Sequence, residues 1–145
     1  MCRMTFHQEL YDRYNPIGIQ VAVSFLRQLG YTPVNFDEKY KYDFVVEKDG
    51  KEYRVECEVT TKWIHKQFPY RYMSVPHRKK DYTADFYIRT NPTGSALFFM
   101  PMSKVKEAPV IRKDTSYTKN EPFFNVDTET LTLYYVEDGV WYADE

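Results

Sequence analysis

The stretch 42–63 constrains the fold of this chain more than any other segment, because it predicts a β-hairpin with a defined register. Two runs of alternating residues flank Asp49-Gly50, and Asp-Gly is a strong signal for a two-residue hairpin turn. Residues at equal distances from that turn then face each other across the two strands, so that Asp43 faces Glu56. Successive side chains of a strand point to opposite faces, so one face of the hairpin is apolar and is expected to pack in a core. The members of this face are Tyr42, Phe44, Val46, Tyr53, Val55, Cys57 and Val59.

The other face of the hairpin gathers carboxylates. Asp43 and Glu56 are opposed, and Glu58 lies two residues further along the same face. Directly opposed side chains have Cβ atoms roughly 4.5–5.5 Å apart, and like charges there are destabilising. A divalent cation would neutralise them, since carboxylate oxygens suit Mg²⁺ and Mn²⁺. The alternative is a solvated face on which Lys41 and Arg54 offset the charge, and the residues alone leave both interpretations open.

Length and composition predict one compact cytoplasmic domain. The 145 residues are 43% hydrophobic and 18% aromatic, which is enough for one core and too apolar for a disordered chain. No apolar run is long enough for a transmembrane helix or a signal peptide, so no membrane partner is expected. The two cysteines, Cys2 and Cys57, are not expected to form a disulfide, and no cysteine–histidine cluster has the spacing of a zinc site.

Charge is segregated along the chain, although its net value is only −1. Residues 59–80 contain six lysines or arginines and no acid, and aromatic residues interleave with these cations. Cations bind phosphates and aromatic rings stack on bases, so the stretch predicts a nucleic-acid-binding segment, with a solvated charged loop as the alternative. Residues 121–145 contain seven acids and no lysine or arginine. They predict a C-terminal hairpin that completes a sheet, with a protein-interaction surface as the alternative.

The remaining patterns predict an α/β domain with a mixed or mainly antiparallel sheet. Asn15-Pro16 is typical of a helix cap followed by a first-turn proline, and this helix would end before Gly30. Its apolar face would contain Ile17, Val21, Phe25 and Leu29. Strands are predicted at 31–36, 73–75, 84–89, 95–100, 123–126, 131–136 and 140–142, and short helical segments at 5–13, 77–82 and 103–107.

Asp43 on the first hairpin strand and Glu56-Cys57-Glu58 on the second resemble the motif of the PD-(D/E)XK nuclease superfamily. The order of elements from about residue 9 to residue 89 is similar as well. The resemblance implies a single nuclease-like domain over 1–145, with a restriction-endonuclease-like mixed sheet, a flanking N-terminal helix and a C-terminal hairpin. It also implies a metal-dependent nuclease that hydrolyses DNA phosphodiester bonds with Mg²⁺ or Mn²⁺ as cofactor, and a phage would be a suitable source.

The resemblance assigns roles to the residues of the motif. Asp43 and Glu56 would bind the metal, with the backbone carbonyl of Cys57 and the side chain of Glu9 as further ligands. Glu58 would hold a second metal or orient the attacking water.

Glu58 stands where the family usually has lysine, so the cation of the site would come from elsewhere. Lys62 would supply it if the strand continues that far, and Lys79 or Lys80 is a comparable candidate. The residues expected to bind nucleic acid are Lys66, Arg71, Arg78, Lys79 and Lys80. The departure at Glu58 also favours an alternative, a non-catalytic nucleic-acid-binding domain on the same fold. A protein-interaction domain is a second alternative, and its best evidence is the acidic, aromatic C-terminal segment. A homodimer is a further option, because many such nucleases dimerise to cut both strands.

Overall fold

A computed structural model describes residues 8–35, 44–77 and 84–144 of the chain. Asp43 and the basic residues at 78–80 therefore lie outside the described residues, as does most of the short helix predicted at 77–82. Of Glu9 the structure describes the backbone, which belongs to the first helix, α1 (Gln8–Gln28).

Helix α1 runs without interruption through Pro16. The prediction that a helix begins at Asn15-Pro16 is wrong, because the segment before the proline is helical too and the two join into one element. The prediction of the helix end is confirmed. Gly30 has φ of 95°, a left-handed conformation that glycine adopts without strain, and its N–H donates to the carbonyl of Arg27 at 3.0 Å.

The buried face of α1 is rotated by about one residue from the expected face. Gly18, Ala22, Phe25 and Leu26 are buried, whereas Leu29 lies beyond the end of the helix and is exposed. The spacing of three and four residues is still that of one helix face. Phe25, and Ala22 adjoining the expected face, were predicted correctly.

Ten strands, a second and shorter α-helix and one turn of 3-10 helix at Thr128–Thr130 complete the described elements. The strands are β1 (Thr32–Asn35), β2 (Phe44–Lys48), β3 (Lys51–Val59), β4 (Tyr72–Pro76), β5 (Phe86–Thr90), β6 (Ala96–Pro101), β7 (Val110–Lys113), β8 (Glu121–Asp127), β9 (Leu133–Glu137) and β10 (Val140–Ala143), and the helix between β6 and β7 is α2 (Met102–Glu107). Seven of the strands form one sheet in the order β1-β2-β3-β5-β6-β9-β10. Within it β3 and β5 are parallel, and the other neighbouring pairs are antiparallel. The predicted α/β class with a mixed sheet and a C-terminal hairpin is therefore confirmed.

The hairpin of β2 and β3 has the predicted register. Phe44 faces Val55 and Lys48 faces Lys51. Asp49 and Gly50 have φ of 54° and 78°, the positive values that a type I′ turn needs at both central positions. The prediction for this turn is confirmed.

A second sheet, with the order β4-β8-β7, covers one face of the seven-stranded sheet, while α1 covers the other face. Two cores result. The core on the α1 side includes Phe25, Phe44, Val55, Ile88, Leu97 and Trp141. The core between the sheets includes Trp63, Met73, Tyr87, Phe98, Met100, Val105 and Phe124. The second sheet as a unit was not predicted, because all four residues of β7 are exposed and so show no alternation in the sequence.

Cys57 is fully buried on the α1 side of β3, with its sulfur 3.5 Å from the carbonyl oxygen of Gly18. This cysteine belongs to a disulfide, so the expectation that the cysteines stay unpaired is wrong. The expectation placed Cys2 near a frayed end and Cys57 on a core face, but α1, which follows the N-terminal segment, packs directly on β3. None of the described helices is long and apolar enough to cross a membrane.

Candidate functional site

Glu56 and Glu58 lie side by side on the face of β3 that points away from α1. Glu56 is 1% exposed and Glu58 is 6% exposed, whereas Glu52, nearer the turn on the same face, is exposed. The solvated-face interpretation is therefore wrong for the far end of the hairpin and holds only near the turn. A buried carboxylate is costly unless it is paired or hydrogen-bonded. Packing alone does not require two buried carboxylates on one face of a strand.

The parallel pairing of β3 with β5 places Tyr87 opposite Glu56 and Arg89 opposite Glu58. Arg89 Nη2 lies 3.4 Å from Glu58 Oε2, and both side chains are 8% exposed. Arg89 also donates from Nε to the Tyr87 hydroxyl at 2.9 Å, from Nη1 to Thr60 Oγ1 at 3.0 Å and from Nη2 to the carbonyl of Ser74 at 3.0 Å. The guanidinium thus links β5, the end of β3 and β4 of the second sheet.

The charges in this cluster follow from its burial. Burial raises the pKa of the Tyr87 phenol well above its usual value, although Arg89 acts in the opposite direction. Burial would lower the pKa of Arg89, but Tyr87 and Glu58 outweigh it and the pKa is raised. Arg89 therefore stays charged beside Glu58, and Tyr87 stays neutral.

The cation that contacts Glu58 is Arg89, which the sequence analysis missed. β3 ends at Val59, and the N–H of Trp63 donates a hydrogen bond to the carbonyl of Thr60. The chain therefore turns directly after Thr60. Lys62 is exposed in that turn and does not continue the strand face. Only the register between β3 and β5, which a single sequence does not reveal, would have identified Arg89.

The predicted nucleic-acid residues Lys66 and Arg71 are both paired with acids. Lys66 Nζ lies 3.1 Å from Asp144 Oδ1. Arg71 binds both carboxylate oxygens of Asp127, at 2.9 and 3.0 Å, and also pairs with Glu129 at 3.1 Å. The basic and acidic segments of the sequence thus meet in the fold. A nucleic-acid phosphate would have to compete with these carboxylates for Lys66 and Arg71.

These pairs shift the pKa values of the two acids in the expected direction. The hydrogen bond from Arg71 lowers the pKa of Asp127, and those from Gln67 and Lys66 lower the pKa of Asp144. The C-terminal segment also completes the seven-stranded sheet and buries Trp141, as the hairpin interpretation predicted.

The donors of Glu56, Glu58 and the backbone carbonyl of Cys57 are oxygens, which suit Mg²⁺ or Mn²⁺. Within 8–35, 44–77 and 84–144, no group of three or more His, Cys, Asp or Glu residues is arranged to hold a metal ion. The remaining predicted ligand on the hairpin, Asp43, adjoins Phe44 and lies outside these ranges.

A shallow groove on the outer surface of α1, lined by Ile19, Gln20, Val23, Ser24 and Arg27, lies on the opposite side of the large sheet from Glu56 and is not part of this site. The chain matches no known family model, no curated protein and no solved structure.

Proposed function

We propose that the protein is a metal-dependent nuclease that hydrolyses DNA phosphodiester bonds on a restriction-endonuclease-like arrangement of β2, β3 and β5. The observation that carries the proposal is the burial of Glu56 and Glu58 on one face of β3. Buried ionisable groups are concentrated at functional sites, because catalysis and ligand binding need groups whose properties are tuned by burial and by neighbouring charges.

In this mechanism Asp43 and Glu56 would hold the ion, with the Cys57 carbonyl as a further ligand. Glu9 belongs to α1, which packs on the opposite face of the sheet from Glu56, and is left out of the proposed ligand set. When bound, Mg²⁺ or Mn²⁺ would lower the pKa of a coordinated water and offset the charge of the phosphate. Glu58 either orients the attacking water or holds a second ion.

The basic residues of the segment after β3 contact the DNA backbone. Arg78, Lys79 and Lys80 are the main candidates, together with Lys62, which is exposed just beyond the end of β3. Lys66 and Arg71 contribute if DNA displaces their acid partners. A homodimer would allow cleavage of both strands of a duplex.

A second candidate is a nucleic-acid-binding domain without catalysis. The ion pair between Glu58 and Arg89 favours it, because Arg89 already offsets the charge of a buried carboxylate without any metal ion. The two candidates differ in metal binding, which only the nuclease requires.

Cleavage assays with purified variants test the proposal. Linear and circular DNA, single- and double-stranded, are incubated with Mg²⁺, with Mn²⁺ or with chelator. We expect metal-dependent cleavage, reduced about 100-fold or more by Glu56→Gln and by Asp43→Asn, since each removes a charged ligand. Glu52→Gln is the matched control: it makes the same change on the same strand face, but at an exposed position, and should leave the rate unchanged.

Circular dichroism of each variant establishes that the fold survives. Full activity of Glu56→Gln would overturn the proposed site. DNA binding without cleavage, together with no Mn²⁺ binding in calorimetry, would instead support the non-catalytic domain.

A further inference from the structure

Arg89 is held more firmly than an ordinary surface arginine, because it is fixed from three directions. Its guanidinium donates to Tyr87 on its own strand, to Thr60 after β3 and to the Ser74 carbonyl on β4. The side chain is 8% exposed, and burial leaves it little room to change conformation. The contact with Glu58 is therefore a built part of the fold.

This contact limits what Glu58 can bind. One of its oxygens already faces a fixed positive charge at 3.4 Å. A divalent ion bound by the same carboxylate would lie close to the guanidinium, and like charges repel strongly where water is excluded. Glu58 is thus poorly suited to hold a metal ion and well suited to accept a hydrogen bond from a water.

A second cation, Lys113, also makes Glu58 less suited to hold a metal ion. Lys113 of β7 donates from Nζ to Ser74 Oγ at 2.8 Å, so that Ser74 receives Lys113 at its hydroxyl and Arg89 at its carbonyl. Partial burial and the charge of Arg89 both lower the pKa of Lys113, as expected for two cations held near each other. Lys113 thus adds a second positive charge beside Arg89, and the two charges disfavour a divalent cation on this side of Glu58.

We propose that Arg89 is a positioning residue that holds Glu58 for the attacking water, and that the site therefore takes a single divalent ion, at Glu56. This inference rests on the proposed nuclease function and decides between the two roles open to Glu58 in that mechanism. It assigns to Arg89, on a neighbouring strand, the cation that the Glu-Cys-Glu sequence lacks.

A titration of the protein with Mn²⁺ tests the inference without any turnover. Calorimetry measures the heat of binding, and electron paramagnetic resonance measures the concentration of free Mn²⁺. We expect one ion per chain in the unmodified protein. Glu56→Gln should weaken Mn²⁺ binding by about 10-fold or more, whereas Glu58→Gln should change it by less than about 3-fold. Two ions per chain, or equal losses in the two variants, would overturn the single-ion site while leaving the nuclease proposal intact. No bound ion would overturn both.

Cleavage kinetics then test the positioning role of Arg89. Glu58→Gln should lower kcat by about 100-fold with KM for DNA little changed. Arg89→Lys keeps the charge but not the planar set of donors, so kcat should fall while Mn²⁺ affinity stays the same. Unchanged kcat in Arg89→Lys, in a sample whose circular dichroism matches the unmodified protein, would refute the role of Arg89.

Discussion

Replacing Arg89 with methionine should destabilise the protein strongly, because Glu58 is buried beside it. Methionine fills much of the same volume but removes the ion pair and the hydrogen bonds to Tyr87, Thr60 and Ser74. Removing one partner of a buried pair typically costs about 3–5 kcal/mol, since the other charge is left uncompensated. Typical domains have about 5–15 kcal/mol of unfolding free energy in all, so the variant should be close to marginal stability.

The double variant separates the pair from the other contacts of Arg89. Glu58→Gln alone should cost less, about 1–3 kcal/mol, because Arg89 keeps its three neutral acceptors. Arg89→Met combined with Glu58→Gln should cost less than the sum of the two, by about 1–3 kcal/mol, since no buried carboxylate is left unpaired.

Urea denaturation followed by tryptophan fluorescence measures these free energies. Trp63 lies in the core between the sheets and Trp141 in the core under α1, so both layers are observed. Arg112→Met is the matched control, because Arg112 is exposed and its guanidinium donates to the Asn120 carbonyl; it should cost less than about 0.5 kcal/mol. A cost below about 1 kcal/mol for Arg89→Met, or strict additivity with Glu58→Gln, would refute the reasoning.

Two further predictions concern other parts of the fold. Arg71→Gln should raise the pKa of Asp127 toward its ordinary value of about 3.9, since the hydrogen bond from Arg71 now lowers it; carboxyl NMR titration measures this, and an unchanged pKa would contradict it. Because the folded pKa is depressed, the stabilisation by this pair is complete above about pH 4 and is lost as the pH falls through the folded pKa. Gly94→Ala should cost about 2–4 kcal/mol, because φ is 76° and a Cβ would lie 2.6 Å from Val21 Cγ2. Gly50→Ala, with φ of 78° but open space, should cost only about 1 kcal/mol, and equal thermal shifts would count against the steric argument.

Local patterns predicted the elements whose residues alternate or carry turn signals. Asp49-Gly50 defined the hairpin register, and the alternating runs identified β5, β6 and the C-terminal hairpin. In each of these cases the information lies within a few neighbouring residues. The Glu56 side of the hairpin was also correctly placed opposite the apolar face, although its burial was not foreseen.

Features that depend on pairing between distant segments were not predictable. The contact of Arg89 with Glu58 needs the parallel register of β3 and β5, and the Lys66–Asp144 pair needs the C-terminal strand to return beside the basic segment. β7 was missed because an exposed strand held by its partner β8 has no hydrophobic period of its own. Charge runs in the sequence therefore indicated which residues are ionic but not which of them neutralise each other.

The shared position of β5 between the two cores has a consequence for the dynamics of the protein. Ile88 points into the core on the α1 side and Tyr87 into the core between the sheets. Separating either covering layer from β5 therefore exposes a residue directly adjacent to one in the other core. We expect amide hydrogens of β3, β5 and β6 to exchange only on global unfolding, and those of β4, β7 and β8 to exchange earlier, through partial opening of the outer sheet.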